Sequence, residues 1–366
     1  MAGSVRKRGS TWRYVVDIGR DENGKRKQRD RGGFATKREA QEELRKFQNH
    51  VDSGFLPDAE NVTFGEFMSS WLEHHATQVE PKTWKRYEAL SRLYLVPRLG
   101  HMQLARIRPA HVQAAIDAVG QSPRTVQHVR GVASNAMRQA VAWQLITSNP
   151  VAATRAPKAE RPDLEVLNVE TVRAIMSAAE GTLWEIPIFL AAFTGARRGE
   201  VLAIRWEYVY LDRGRVRIAF GLERLSGEFR FKEPKTKRSR RSVALPQIAV
   251  DRLRRWRIEQ GQTRLKAGPA WHDFDLVCEA GDGTPFDPDS FSKAFKRFAQ
   301  KASVPDARLH DLRHAAATLM MERGVHPSVV SRSLGHASEA FTMAVYGHVR
   351  DEMLDQAADA LGDAYA

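Results

Sequence analysis

The stretch His310-Asp311-Leu312-Arg313-His314-Ala315-Ala316-Ala317-Thr318-Leu319-Met320 opens an amphipathic helix. Leu312, Ala316, Leu319 and Met320 supply its apolar side. His310 and Arg313 stand three apart and so share a helical face. His310 and His314 have the spacing of a zinc pair, but the zincin pattern needs Glu after the first His, and Asp311 stands there. No third ligand is evident, so the sequence predicts no metal site and no cofactor.

Reading outward, Leu334-Gly335-His336 is followed ten residues later by Tyr346, in Ala344-Val345-Tyr346-Gly347-His348. A lone Tyr on a helix is ordinarily half-buried packing. Upstream, Thr194-Gly195-Ala196-Arg197-Arg198-Gly199-Glu200 follows an apolar helix, and its glycines make a turn suited to aiming a guanidinium at a phosphate. Between them lies Glu233-Pro234-Lys235-Thr236-Lys237-Arg238-Ser239-Arg240-Arg241-Ser242-Val243, which reads as a basic turn entering a strand. Each piece alone has a bland alternative: a helix junction, a solvated hairpin tip, a packed Tyr.

The rest of the chain reads as two further units. Over residues 10–54, Trp12, Tyr14, Val16 and Ile18 alternate with Arg13, Val15 and Asp17, the period of a strand with one covered face. Asn23-Gly24 is a hairpin signal with Lys25–Arg31 returning. Thr36-Lys37-Arg38-Glu39 has the form of a capping box, after which Ala40, Leu44, Phe47 and Val51 share one helical face. Two or three strands on one helix follow, with Arg13, Arg20, Lys25, Arg26, Lys27, Arg29 and Arg31 on an exposed ribbon able to enter a DNA groove, or simply solvated. Pro57–Asn61 reads as a linker. Residues 62–150 read as all-helical, with helices from a second capping box at Thr63–Glu66, over 81–94, from Pro109, and from Ser122-Pro123 to Trp143. Trp71, Trp84 and Trp143 fall among apolar residues and are expected in the core. Thr154–Pro162 reads as a second linker. Residues 163–366 open with helices over 169–179 and 183–194, followed by strand-like segments at 215–220, 229–231 and 240–245 and several further helices.

Composition narrows the function. There are 57 Lys and Arg against 44 Asp and Glu, a net charge of +13, and one cysteine, Cys278. A disulfide scaffold and a Cys-rich zinc module are excluded. Residues 1–58 carry 14 basic and 9 acidic side chains, and residues 59–160 carry 12 and 7, so the excess is concentrated in the first 160 residues. Such a balance suits nucleic acid, because each neutralised phosphate releases counterions. The N-terminus has no apolar stretch of a signal peptide and no run spans a bilayer, which predicts a cytoplasmic, nucleoid-associated protein.

Taken together, Arg, Lys, His-x-x-Arg, His and Tyr occur in this order within about 150 residues. The chain resembles the tyrosine recombinase family, specifically the phage and mobile-element integrases, over nearly its whole length. The resemblance implies that Arg197 is the first catalytic arginine, that Arg198 is its variable neighbour, and that Glu200 supports the site. It makes Lys235 the hairpin lysine, with Lys237 the competing choice, His310 and Arg313 the His-x-x-Arg box, His336 the His of Leu-Gly-His, and Tyr346 the nucleophile. It implies an α+β multidomain fold. A small N-terminal sheet plus helix (1–57) would bind arm sites as in lambda-like integrases. An all-helical, SAM-like domain (58–155) would bind the core site. A mostly helical catalytic domain with a small antiparallel sheet (163–366) would end in a tail helix. DNA contacts are expected from Arg13, Lys25, Arg26, Lys27, Arg29, Lys82, Arg124, Arg130, Lys237 and Arg240. The implied partners are double-stranded DNA at core and arm attachment sites, a homotetramer on DNA, a directionality factor and a host DNA-bending protein. The tail, with Met353, Leu354, Ala357, Ala358 and Leu361 at helical spacing, is expected to dock on a neighbouring protomer, the alternative being its own domain. The competing readings are a non-catalytic DNA-binding regulator, a type IB topoisomerase-like enzyme and a metal-dependent hydrolase.

Overall fold

The computed structural model describes residues 3–20, 26–52, 62–159, 166–233 and 240–335. The chain divides into two compact units, 1–162 and 163–366. The first begins with an antiparallel sheet in the order β1 (Gly3–Arg8), β2 (Thr11–Arg20), β3 (Arg26–Phe34), followed by helix α1 (Lys37–Asp52). The alternation in β2 works as read: Tyr14 and Val16 are buried, and with Leu44 of α1, Val5 and Phe34 they form a small core. Thr36 caps α1, since its hydroxyl accepts from the Glu39 amide at 3.2 Å and the Glu39 carboxylate accepts from the Thr36 amide at 3.2 Å. The third strand is β1, whose polar Gly3–Arg8 sequence carries little alternation.

Register decides which basic residues share a face. Arg13 lies opposite Arg6 and Gly32, away from the helix, and is ion-paired with Asp30. Arg31 departs from the expected ribbon. It lies opposite the buried Tyr14, hence on the helix side of the sheet, 3.7 Å from Glu43 of α1. Arg26, Lys27 and Arg29 fall within β3. Lys25, the Asn23-Gly24 turn and the 57–61 linker lie outside the described residues.

The helical part of this unit comprises α2 (Phe64–Ala76), α3 (Pro81–Leu90), α4 (Val96–Leu99), α5 (Pro109–Asp117) and α6 (Pro123–Ala142). Thr63 and Glu66 form the expected capping box. Between α3 and α4 the helix widens into a π-turn over Ser91–Leu95. Pro97 accounts for this, because it offers no amide to the preceding turn and its ring crowds that turn's carbonyl. Trp71 is buried and stacks on His75 and Tyr87 at 4.8 and 5.8 Å, the Trp84 indole donates to the Leu72 carbonyl at 2.8 Å, and Trp143 meets Phe67 edge-on. Trp71 and Trp143 belong to the core as expected, whereas Trp84 is half-buried at its margin and held by its indole bond.

The second unit contains α7 (Val169–Ala179), α8 (Glu185–Thr194), α9 (Arg198–Leu202), β4 (Val209–Tyr210), β5 (Arg215–Ile218), β6 (Gly221–Leu225), β7 (Glu228–Lys232), β8 (Arg241–Ala244), α10 (Gln247–Ala267), α11 (Pro288–Lys301), α12 (Asp311–Glu322) and α13 (Pro327–Leu334). β4, β5 and β8 form an antiparallel sheet, and β6 and β7 form a separate ribbon that the sequence reading only half found. One core joins Ile188 and Leu190 of α8, Val201 and Leu202 of α9, Val216 and Val243 of the sheet, Phe291 and Phe295 of α11, and Leu312 of α12. Packing of α8, α9 and α12 into this core sets the stage for the site.

The core of the N-terminal sheet module is small enough for one side chain to decide it. Tyr14→Ala should cost about 3–5 kcal/mol. Limited proteolysis should then cut within residues 3–52 first and leave a fragment that retains the rest of the chain, whereas the wild-type module should resist.

Candidate active site

The site is built at two glycine turns. Helix α8 ends at Gly195, whose φ of +57° closes the helix with its amide bonded to the Ala191 carbonyl at 3.0 Å. A Cβ on Gly195 would come within 2.4 Å of Leu334 Cδ2, so this turn needs glycine for space as well as for φ. Two residues on, Arg197 precedes α9, and its amide donates to the Glu200 carboxylate at 2.9 Å. Helix α13 ends at Gly335 with φ +70°.

Four of the expected residues converge here. Arg197 Nη1 donates to Glu200 Oε1 at 2.8 Å, and Nη2 donates to the Gly335 carbonyl at 3.2 Å. Arg313, on α12, is buried and donates to the Gly195 carbonyl at 2.8 Å. His310 sits at the start of α12 with its ring edge-on to His314 at 4.8 Å. Arg197 remains 45% exposed while Glu200 is 9% exposed, so one flank of the guanidinium is held and the other faces outward.

Electrostatics fix the protonation states. Burial alone would raise the Glu200 pKa. Arg241, by charge and a hydrogen bond at 2.9 Å, and then Arg197 more than offset this and hold it below the usual carboxylate range. For His310, loss of hydration comes first, then His314 and the Arg313 charge, and together they push its pKa down to about 4 even though the ring keeps an open edge. His314 is also shifted down, chiefly by burial. Asp311 has a mechanical explanation. Its carboxylate accepts from the Arg308 amide at 2.8 Å and from the Arg308 guanidinium at 3.0 Å, which fixes the turn that presents His310. Among the described residues no three His, Cys, Asp or Glu side chains are grouped as a metal ion would require.

The other expected residues distribute as follows. Arg198 turns aside to Asp289 and Ser292, at 2.9 and 2.8 Å. Arg240 is ion-paired with Glu233. Lys235, Lys237, His336, Tyr346 and the tail at 351–366 lie outside the described residues. In the helical part, Lys82 and Arg124 are exposed. Arg130 is a correction, because its guanidinium is engaged with the Thr154 and Val151 carbonyls at 3.2 and 3.3 Å. With Gln127 on the Pro157 carbonyl it straps the chain after α6 to that helix, and Gln113 of α5 holds the same segment through the Arg155 carbonyl. Two basic residues were overlooked. Arg86 lies one turn beyond Lys82, and its charge reaches the half-buried His128, as does that of Arg124. The i, i+4 spacing of Lys82 and Arg86 was the available signal. Arg241 was read only as one member of a basic run, yet it is among the most buried charges of the unit.

Comparison with known proteins fits this geometry. The profile of the phage integrase family matches residues 165–353. The chain belongs to the phage integrase family. An arm DNA-binding domain profile matches residues 4–51 of this integrase, and a phage integrase N-terminal SAM-like domain profile matches 63–119. It is 28% identical over 378 residues to a XerC-like tyrosine recombinase of Caldanaerobacter subterraneus subsp. tengcongensis, covering 97% of this chain and 96% of that one. It is 29% identical over 351 residues to an integrase of Streptomyces ambofaciens, covering 92% and 88%. Its fold matches the Tn1549 transposon integrase in complex with a circular intermediate DNA, with a TM-score of 0.70 and 16% identity over 82% of this chain and 99% of that one. It also matches a lambda integrase tetramer bound to a Holliday junction, with a TM-score of 0.59 and 20% identity over 92% and 96%. The expected fold class and family therefore hold. No helix among the described residues is long and apolar enough to cross a membrane.

His310 should be neutral throughout the neutral range in the free protein. Its folded pKa lies below the unfolded value of about 6.5, so its contribution to stability is present above that value and is lost as pH falls toward about 4. An NMR titration of the His310 ring should show an inflection well below the ordinary histidine value of about 6.5.

Proposed function

We propose that this integrase, a tyrosine-type site-specific recombinase, cleaves and rejoins DNA through Tyr346. The observation that carries the reading is the convergence of Arg197, Arg313 and an uncharged His310 around the two glycine turns, the second of which leads directly into His336. A phenol with a pKa of about 10 must lose its proton as it attacks phosphorus. His310, neutral and at the mouth of the site, is suited to accept or position that proton. Arg197 and Arg313 present fixed donors to the non-bridging oxygens as negative charge grows on them, an effect typically worth a few kcal/mol each. His336 adds a donor. Lys235 protonates the departing 5′ oxygen. The product is a 3′-phosphotyrosyl link and a free 5′-hydroxyl. Attack by a 5′-hydroxyl of a partner duplex reverses the chemistry, expels Tyr346 and joins the strands without an external energy source.

The assembly implied is a homotetramer pairing two DNA sites. The sheet module would hold arm sites, through Arg13, Lys25, Arg26, Lys27 and Arg29. The helical part would hold the core site through Lys82, Arg86 and Arg124, with Lys237 and Arg240 beside the cleaved strand. The 351–366 tail would dock on a neighbouring protomer. A directionality factor and a host DNA-bending protein would complete the complex, on the nucleoid.

On a nicked suicide duplex bearing the core site, in the presence of chelator, wild-type protein should form a covalent 3′ adduct that resolves on a denaturing gel, and Tyr346→Phe should form none. Tight, specific binding with no adduct from either protein, beside a working control recombinase, would replace this reading with that of a non-catalytic DNA-binding regulator. Removing residues 1–58 should abolish binding to distal arm sites and spare the core site, and equal loss at both would exclude separate arm recognition.

A further inference from the structure

We propose that Arg241 is a positioning residue for strand cleavage, joining Glu200, and through it Arg197, to the C-terminal turn of α13. The proposal rests on the recombinase reading above. Arg241 opens β8, six residues after Lys235 in the chain. Its side chain is 3% exposed. Nη2 donates to Glu200 Oε2 at 2.9 Å, while the other oxygen of the same carboxylate holds Arg197 at 2.8 Å. Nε donates to the Ser333 carbonyl at 2.6 Å. A Cβ on Gly335 would meet Arg241 Nη1 at 2.9 Å, so the guanidinium lies directly against the residue whose carbonyl receives Arg197.

Three features make this more than a buried ion pair. The fork geometry is used, since one edge of the guanidinium grips a carboxylate and its Nε grips a helix end. The positive charge sits at the C-terminus of α13, where the helix dipole favours it. The same cation sets the state of Glu200: burial raises the carboxylate's pKa, and the charge and hydrogen bond of Arg241 are the leading influences that bring it down. Without Arg241, Glu200 would take up a proton at higher pH and release its charged hold on Arg197. The groups facing Glu200 in this argument are Arg241 and the Arg197 side chain and amide. Arg241 touches no DNA in the proposed reaction, so it acts through Arg197.

The test compares wild type, Arg241→Lys and Arg241→Met in the full chain, on a nicked core-site duplex carrying either a normal scissile phosphate or a methylphosphonate. The methylphosphonate has lost the negative oxygen that Arg197 serves. Both variants should bind the core site with an affinity within about threefold of wild type, since the phosphate-contacting surface is untouched. At saturating DNA, cleavage of the normal phosphate should fall about 10²- to 10³-fold in Arg241→Met, as for loss of one fixed donor, and about tenfold in Arg241→Lys, which keeps charge without the fork. On methylphosphonate both deficits should shrink several-fold or more. The acid limb of the Arg241→Met rate profile should also move to higher pH. Wild-type cleavage rates in both variants, or equal deficits on both substrates with an unmoved acid limb, would overturn the proposal and leave Arg241 a general support of the fold. If Arg241→Met fails to fold, Arg241→Lys carries the comparison. Absence of a wild-type adduct on the normal phosphate would instead overturn the recombinase reading itself.

Discussion

A carboxylate buried between two guanidiniums organises the catalytic unit. Glu200 has almost no access to water, and an ionised carboxylate in such a place is tolerated only with charged partners and satisfied oxygens. Its oxygens are divided between Arg197 and Arg241, and the Arg197 amide adds a third bond. Geometry follows from that division. Arg197 stands at the start of α9, Arg241 stands on β8, and Arg241 also reaches α13. One acidic side chain, directly and through Arg241, thus ties together three elements.

The two glycine turns complete the frame by exchange. Arg197 donates to the carbonyl of Gly335, and Arg313 donates to the carbonyl of Gly195, two residues before Arg197 itself. Both carbonyls lie at helix ends, where backbone acceptors lack intrahelical donors. The arginines therefore satisfy groups that the fold leaves open, and are oriented by doing so. Charged donors orient more firmly than neutral ones, because bonds to ionised groups are shorter and stronger. One flank of the Arg197 guanidinium is already fixed, so in the proposed reaction little ordering would remain on meeting a phosphate.

Much of this was legible in the sequence, for identifiable reasons. Tyr14 and Val16 lie on a strand with one covered face, and the period of two announced it. The capping boxes at Thr36 and Thr63 announced the starts of α1 and α2. Arg197, Glu200, His310 and Arg313 were legible because their order and spacing are distinctive in combination. The misses have a common cause. β1 is mostly small and basic, and in β6 only Leu222 and Leu225 are buried, so neither shows a full alternation. A basic run looks the same whether an arginine is solvated or enclosed, which hid Arg241. Helical periodicity placed Arg130 on α6 but could not say that the chain beyond Asn149 returns to receive it.

The register of the N-terminal sheet has a consequence for solubility. β1 and β3 are both edge strands, and an edge strand offers unpaired backbone groups to any other extended chain. Arg6, Lys7 and Arg8 are exposed along β1, and β3 carries Arg26, Lys27, Arg29, Asp30 and Arg31. A second copy approaching either border in the manner of a growing fibril would have to bring like charges together without water. The basic content of this module thus disfavours pairing of its open borders with one another.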